Sequence, residues 1–109
     1  MTLNIFGVGT DIVKNSRIKK INQKVLFFSK RFAAKEAFVK SLGTVFAYNI
    51  NFKDINVSKK RSGKPHLTLS NKLKDILKKK LKLKKVKIFL SLSDEREYSV
   101  AYVITQKIK

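Results

Sequence analysis

The stretch RFAAKEAFVKSLG, residues 31–43, decides the central element of the fold, because it predicts the main helix. We expect this helix to begin at about Ser29, whose hydroxyl suits an N-cap, and to end at Leu42, where Gly43 supplies a stop. A short basic connection, residues 14–24, and an apolar run, residues 25–28, precede it.

Strands and a second helix are predicted around this central element. The apolar run at 5–13 contains glycines that permit a close backbone approach. The Gly and Pro of residues 58–65 are typical of a hairpin connection. The predicted elements are, in order, a strand at 5–13, the central helix, strands at 52–57 and 66–69, a helix at about 70–83, and strands at 86–90 and 98–106. This order predicts one compact α+β domain over residues 1–109, with an antiparallel sheet packed against two main helices.

The composition excludes several classes of protein. The chain has 109 residues and no cysteine, so neither a disulfide framework nor a thiolate metal site is expected. No apolar run approaches membrane-spanning length, and the first residues lack the pattern of a signal peptide. We therefore expect a cytoplasmic protein without a membrane partner.

The charge of the chain is its most unusual bulk property. Lys and Arg number 26 against 7 Asp and Glu, which gives a formal net charge of +19. Such an excess speeds encounters with polyanions, among them nucleic acid, acidic proteins and phosphorylated cofactors. A compositional drift toward lysine explains the same excess without selection for binding, so charge alone identifies no partner.

Two pairs in the central helix are candidates for chemistry. Glu36 and Lys40 are four residues apart and share a helix face, so they form either part of a site or a simple ion pair. Arg31 and Lys35 have the same spacing but like charge, which makes sense if an anion such as a phosphate lies between them. The alternative is that both point into water.

Asp11 lies near the end of the first predicted strand. A carboxylate there must be hydrogen-bonded, exposed or bound to a cation. Together with Glu36 it would form an oxygen-only site suited to Mg²⁺, completed by water and substrate phosphate oxygens.

Four blocks of the sequence are similar to motifs of the holo-acyl-carrier-protein synthases, a family of 4′-phosphopantetheinyl transferases. GVGTDIV at 7–13 resembles the opening strand motif, and residues 31–44 resemble the central helix signature almost residue for residue. Gly63-Lys64-Pro65 resembles the third motif. LSLSDEREY at 90–98, followed by Ala101, resembles the closing hairpin. The blocks occur in family order and span nearly the whole chain.

The resemblance implies a fold of the 4′-phosphopantetheinyl transferase type and a reaction that supports fatty acid biosynthesis. A serine hydroxyl of apo-acyl-carrier protein attacks the β-phosphorus of coenzyme A, and adenosine 3′,5′-bisphosphate leaves. By resemblance, Asp11 and Glu36 hold Mg²⁺ against the pyrophosphate. Lys40 matches the lysine that stabilises charge on the transferring phosphate.

The resemblance also implies binding roles and an assembly. Arg31, Lys35 and Lys64 are candidates for the coenzyme A phosphates, and Asp94 is placed near the site. Arg17 matches an arginine used to dock the acidic carrier protein. The family is trimeric, with sites shared between subunits, so we expect a homotrimer.

Some features depart from the family pattern. The segment between Arg17 and Arg31 is shorter than usual, and Val45 stands where the family often has glycine. Some relatives have histidine at the position of Asp94. Two alternatives therefore stay open: a shortened relative that keeps the fold with little or no activity, and a basic domain associated with nucleic acid. Specific nucleic-acid binding is not expected, because the aromatic residues mostly lie in apolar runs.

Overall fold

The computed structural model describes residues 4–15, 23–43 and 50–108. The elements in chain order are β1 (Ile5–Lys14), α1 (Gln23–Ser41), a short 3₁₀ turn (Phe52–Asp54), β2 (Ile55–Lys59), β3 (Pro65–Leu69), α2 (Asn71–Leu81), β4 (Lys85–Asp94) and β5 (Tyr98–Ile108). The predicted α+β class, with antiparallel strands and two main helices, is confirmed.

The main sheet has three antiparallel strands in the order β1-β5-β4, and β2 and β3 form a separate hairpin. Asp11 on β1 and Leu92 on β4 both pair with Ala101 on β5. In the next row, Val13 and Asp94 both pair with Ser99. Because alternate residues of a strand face opposite sides, these two rows share one face of the sheet.

Helix α1 covers that face, and two glycines of β1 bring it unusually close. A Cβ atom at Gly9 would overlap the carbonyl oxygen of Ala37, and one at Gly7 would overlap that of Ser41. The backbones of β1 and α1 therefore touch, as the glycines in the first predicted strand suggested. The contacts run in opposite directions along the two elements, so β1 and α1 are antiparallel.

The core lies between α1, the covered sheet face and α2. Ala33, Ala37, Phe38, Ala101 and Val103 are all fully buried. The opposite face of the sheet is apolar, and none of the elements within residues 4–15, 23–43 and 50–108 covers it. Its exposed apolar side chains include Ile5, Val8, Ile12, Phe89, Tyr102 and Ile104.

Helix α2 matches its predicted position closely. Ser70 is its N-cap and accepts a hydrogen bond from the Leu73 N–H at 3.1 Å. Leu73 and Leu77 are buried, while its lysines are exposed. Lys82 ends the helix in a left-handed conformation with φ of 59°. Among the described residues, no helix is long and apolar enough to cross a membrane.

Three predicted boundaries are wrong. Helix α1 begins at Gln23 rather than Ser29, so Ser29 is an interior residue and fully buried instead of an N-cap. Residues 52–54 form a 3₁₀ turn capped by the Asn51 side chain, and the strand begins only at Ile55. Strand β4 continues to Asp94, four residues beyond its predicted end.

Candidate active site

Asp11 projects from β1 toward helix α1. The glycines at positions 7 and 9 face the helix, so the period-two alternation of the strand places residue 11 on the same side. Its side chain is only 13% exposed, and its Oδ1 lies 2.8 Å from the Lys40 Nζ. A largely buried carboxylate thus meets the ammonium of a lysine side chain that is half exposed.

Glu36 lies one helical turn before Lys40 and is partly buried. Among the described residues the Lys40 ammonium pairs with Asp11, so the simple Glu36–Lys40 ion pair considered above is not formed. Side chains four residues apart lie on the same face of a helix, so Glu36 shares the face of Lys40. The structure therefore joins the Asp11 carboxylate and the Lys40 ammonium where β1 faces α1, and Glu36 lies one turn from Lys40 on the same helix.

The candidate metal ligands are few, and all of them are carboxylate oxygens. Within residues 4–15, 23–43 and 50–108, no cluster of three or more Asp, Glu, His or Cys side chains could hold a metal ion. Two carboxylates that leave most coordination positions to water and phosphate oxygens suit Mg²⁺, which keeps several waters and seldom takes an all-protein cage. Asp11 and Glu36 therefore fit the predicted metal.

Asp94 lies in the row next to Asp11 on the same sheet face. Its Oδ2 is 3.8 Å from the Lys30 Nζ, and each side chain is about one-third exposed. Lys30 was missed by the sequence analysis. The spacing of Lys30 indicates that it faces the sheet. Lys30 precedes the buried Ala33, Ala34 and Ala37 by three, four and seven residues, so it shares their helix face.

Arg31 and Lys35 lie on the same helix. The Arg31 guanidinium stacks on the Phe27 ring at 4.1 Å, and that ring is half exposed. Stacking orients the planar guanidinium while its N–H donors remain directed outward in the plane, an arrangement that suits phosphate recognition. Lys35 is partly buried one turn further along.

Lys64 is not brought to Asp11 within one chain. It is exposed and lines a cavity of about 250 Å³ together with Val8, Phe89 and Tyr102, on the outer face of the sheet. Asp11 faces α1 on the opposite side. The predicted docking residue Arg17 and the loop residue Val45 lie outside the described residues.

Comparison with known proteins gives a consistent result. Residues 19–103 match the model of the 4′-phosphopantetheinyl transferase superfamily. The chain is 46% identical to the holo-acyl-carrier-protein synthase of Pelagibacter ubique, over 96% of this chain and 99% of that protein. That alignment spans 127 positions, so the relative has residues that this 109-residue chain lacks.

Solved structures agree with the sequence match. The holo-acyl-carrier-protein synthase of Neisseria meningitidis is 31% identical, with a TM-score of 0.75 over 94% of this chain and 99% of that one. The corresponding synthase of Bacillus anthracis, solved in complex with coenzyme A (3′,5′-ADP), is 27% identical, with a TM-score of 0.74 over 95% and 98% of the two chains.

Proposed function

The chain belongs to the 4′-phosphopantetheinyl transferase superfamily, and we propose that Asp11, Glu36 and Lys40 carry its reaction. It is an enzyme that transfers 4′-phosphopantetheine from coenzyme A to apo-acyl-carrier protein. The observation that carries the residue assignment is the 2.8 Å contact between the Lys40 ammonium and the largely buried Asp11 carboxylate.

We propose that Asp11 and Glu36 hold Mg²⁺ together with the donor pyrophosphate. When bound, the ion would neutralise negative charge that develops on the phosphate oxygens. The partial burial of both carboxylates supports this role, because their charge is poorly screened there and attracts a cation strongly.

Lys40 acts on the group that is transferred. The serine hydroxyl of the carrier loses its proton to solvent as its oxygen forms a bond to the β-phosphorus. The bond from that phosphorus to the bridging oxygen breaks, and adenosine 3′,5′-bisphosphate departs with that oxygen. The ammonium stabilises the charge that builds up on the phosphate oxygens. Its contact with Asp11 holds the long side chain in the site, so less conformational entropy is lost when the donor binds.

Arg31 and Lys35 bind phosphates of coenzyme A in this proposal. The like charges four residues apart on one helix repel each other, and an anion between them removes that cost. The Asp94 carboxylate does not bind a phosphate itself. It orients the Lys30 ammonium toward the donor and accepts hydrogen bonds from donor hydroxyl or amino groups.

A homotrimer with shared sites is the assembly that we propose. The exposed apolar side chains on the outer sheet face are typical of an interface between protein chains. Lys64 lies on that face, so it reaches coenzyme A phosphates only in a site to which a neighbouring subunit contributes. The resemblance to the trimeric family supplies the number of subunits.

Arg17 docks the acidic carrier protein in this proposal, and the product serves fatty acid biosynthesis in the cytoplasm. These assignments rest on the family resemblance alone. The Pelagibacter ubique relative has residues that this chain lacks, which favours one alternative in particular: a shortened enzyme with little or no activity.

The transfer is tested by incubating the protein with coenzyme A, Mg²⁺ and apo-acyl-carrier protein and weighing the carrier by mass spectrometry. We expect a mass increase of one phosphopantetheine, which requires both coenzyme A and the metal. An unchanged carrier mass with an active relative as the positive control would favour the shortened, inactive protein.

A further inference from the structure

Asn15 directly follows β1 and is completely buried, with 0% of its surface exposed. Its Nδ2 donates to the carbonyl oxygens of Glu95 at 3.1 Å and Arg96 at 3.2 Å. Its Oδ1 accepts from the Ser99 hydroxyl at 3.0 Å. A buried amide is costly without such partners, so this network ties the end of β1 to the turn between β4 and β5.

The β4–β5 turn depends on this connection. The side chains of Glu95, Arg96 and Glu97 are all exposed, so packing does not hold the turn. Its own closing hydrogen bond runs from the Glu95 N–H to the Tyr98 carbonyl at 2.8 Å. The Asn15 N–H donates to the Glu97 carbonyl at 2.7 Å, so Asn15 binds three successive carbonyls of the turn.

Asp94 immediately precedes this turn and is paired with Lys30. A change in the path of the turn therefore moves the Asp94 carboxylate relative to α1. We propose that Asn15 is a positioning residue, which holds the β4–β5 turn and thereby sets the Asp94–Lys30 pair for coenzyme A. This inference rests on the proposed role of that pair in donor binding.

The chemistry requires an amide at position 15. One nitrogen donates both of its protons to two successive carbonyls, which neither a carboxylate nor an apolar side chain can do. In Asn15→Asp the shape is kept, but a carboxylate oxygen faces two carbonyl oxygens and repels them. In Asn15→Ala both carbonyls lose their partner.

The test compares Asn15→Ala with Ser99→Ala. Ser99→Ala removes a buried hydrogen bond of the same network but leaves both contacts of the Asn15 Nδ2 with the turn. We expect Asn15→Ala to raise the KM for coenzyme A about tenfold, as the loss of one or two hydrogen bonds would, with kcat changed less than about twofold. Ser99→Ala should lower the melting temperature and leave this KM unchanged.

Backbone hydrogen exchange of residues 94–99 provides a readout that is independent of activity. We expect faster exchange in Asn15→Ala than in Ser99→Ala. If Asn15→Ala does not fold, Asn15→Ser is compared instead, because it also removes the two Nδ2 contacts and adds no buried charge.

The proposal is overturned if both variants lose stability while the KM for coenzyme A and the exchange of the turn stay at wild-type values. An inactive wild-type protein would refute the transferase function instead. In that case calorimetric binding of coenzyme A, with the same variants, still decides the role of Asn15.

Discussion

Gly9→Ala is the substitution for which the structure makes the sharpest prediction. The added methyl group would overlap the carbonyl oxygen of Ala37 and lie 2.7 Å from the backbone nitrogen of Ser41. Both are backbone atoms, so no side chain can rotate away. Restoring ordinary contact requires β1 and α1 to separate by about 1–2 Å. Overpacking of this kind costs about 1–3 kcal/mol of the free energy of unfolding.

The same separation would lengthen the 2.8 Å contact between Lys40 and Asp11, so transfer should fall as well. Urea denaturation measures the stability, and the mass of the carrier measures the activity. Leu77→Ala is the control, because Leu77 is buried in α2 away from the site and its truncation costs about 2–5 kcal/mol. That variant should lose stability but keep its kcat when folded. If Gly9→Ala has wild-type stability and activity, the close approach does not shape the site.

Three further predictions concern the assembly and the partner. The variants Asp11→Asn and Lys64→Glu should each be inactive alone but regain part of the activity when the two are refolded together. A site shared between subunits can then combine the intact Lys64 of one chain with the intact Asp11 of the other. No recovery of activity would argue for a site within one chain. Val8→Glu places a charge on the exposed apolar sheet face and should shift the sedimentation coefficient from a trimer toward a monomer; an unchanged trimer would exclude that face as the interface. Arg17→Glu should raise the KM for the carrier protein with little effect on kcat, whereas Lys79→Glu on the exposed face of α2 should not; equal effects would indicate general positive charge rather than a docking site.

The elements with strong local signals were predicted well from the sequence. The Ser70 cap and the apolar stripe of α2 locate that helix within one or two residues, because capping and amphipathic periodicity are local properties. Ser29 shows the limit of that reasoning. Serine favours an N-cap, yet the helix begins at Gln23, so Ser29 lies inside it and its side chain is buried.

The candidate site residues were chosen from the sequence, but the ion pair that Lys40 forms was not predicted. Spacing within the helix allowed an ion pair between Lys40 and Glu36 as one of two interpretations, whereas Lys40 contacts Asp11, which is 29 positions away in the chain. The register of the sheet and the close packing of Gly9 decide this contact, and neither is a local property. The Lys30–Asp94 pair and the hydrogen bonds from Asn15 to the β4–β5 turn were not predicted, for the same reason.

The rate of carrier modification in Asp11→Asn and Glu36→Gln is the most direct measurement of the proposed chemistry. Each variant keeps the shape of the side chain but removes one negative charge, so circular dichroism should show an intact fold. We predict that transfer falls by at least about a hundredfold in both variants, the usual loss when a group that stabilises transition-state charge is removed. Near-wild-type transfer by both variants at limiting Mg²⁺ would contradict the assignment of these two carboxylates to the metal.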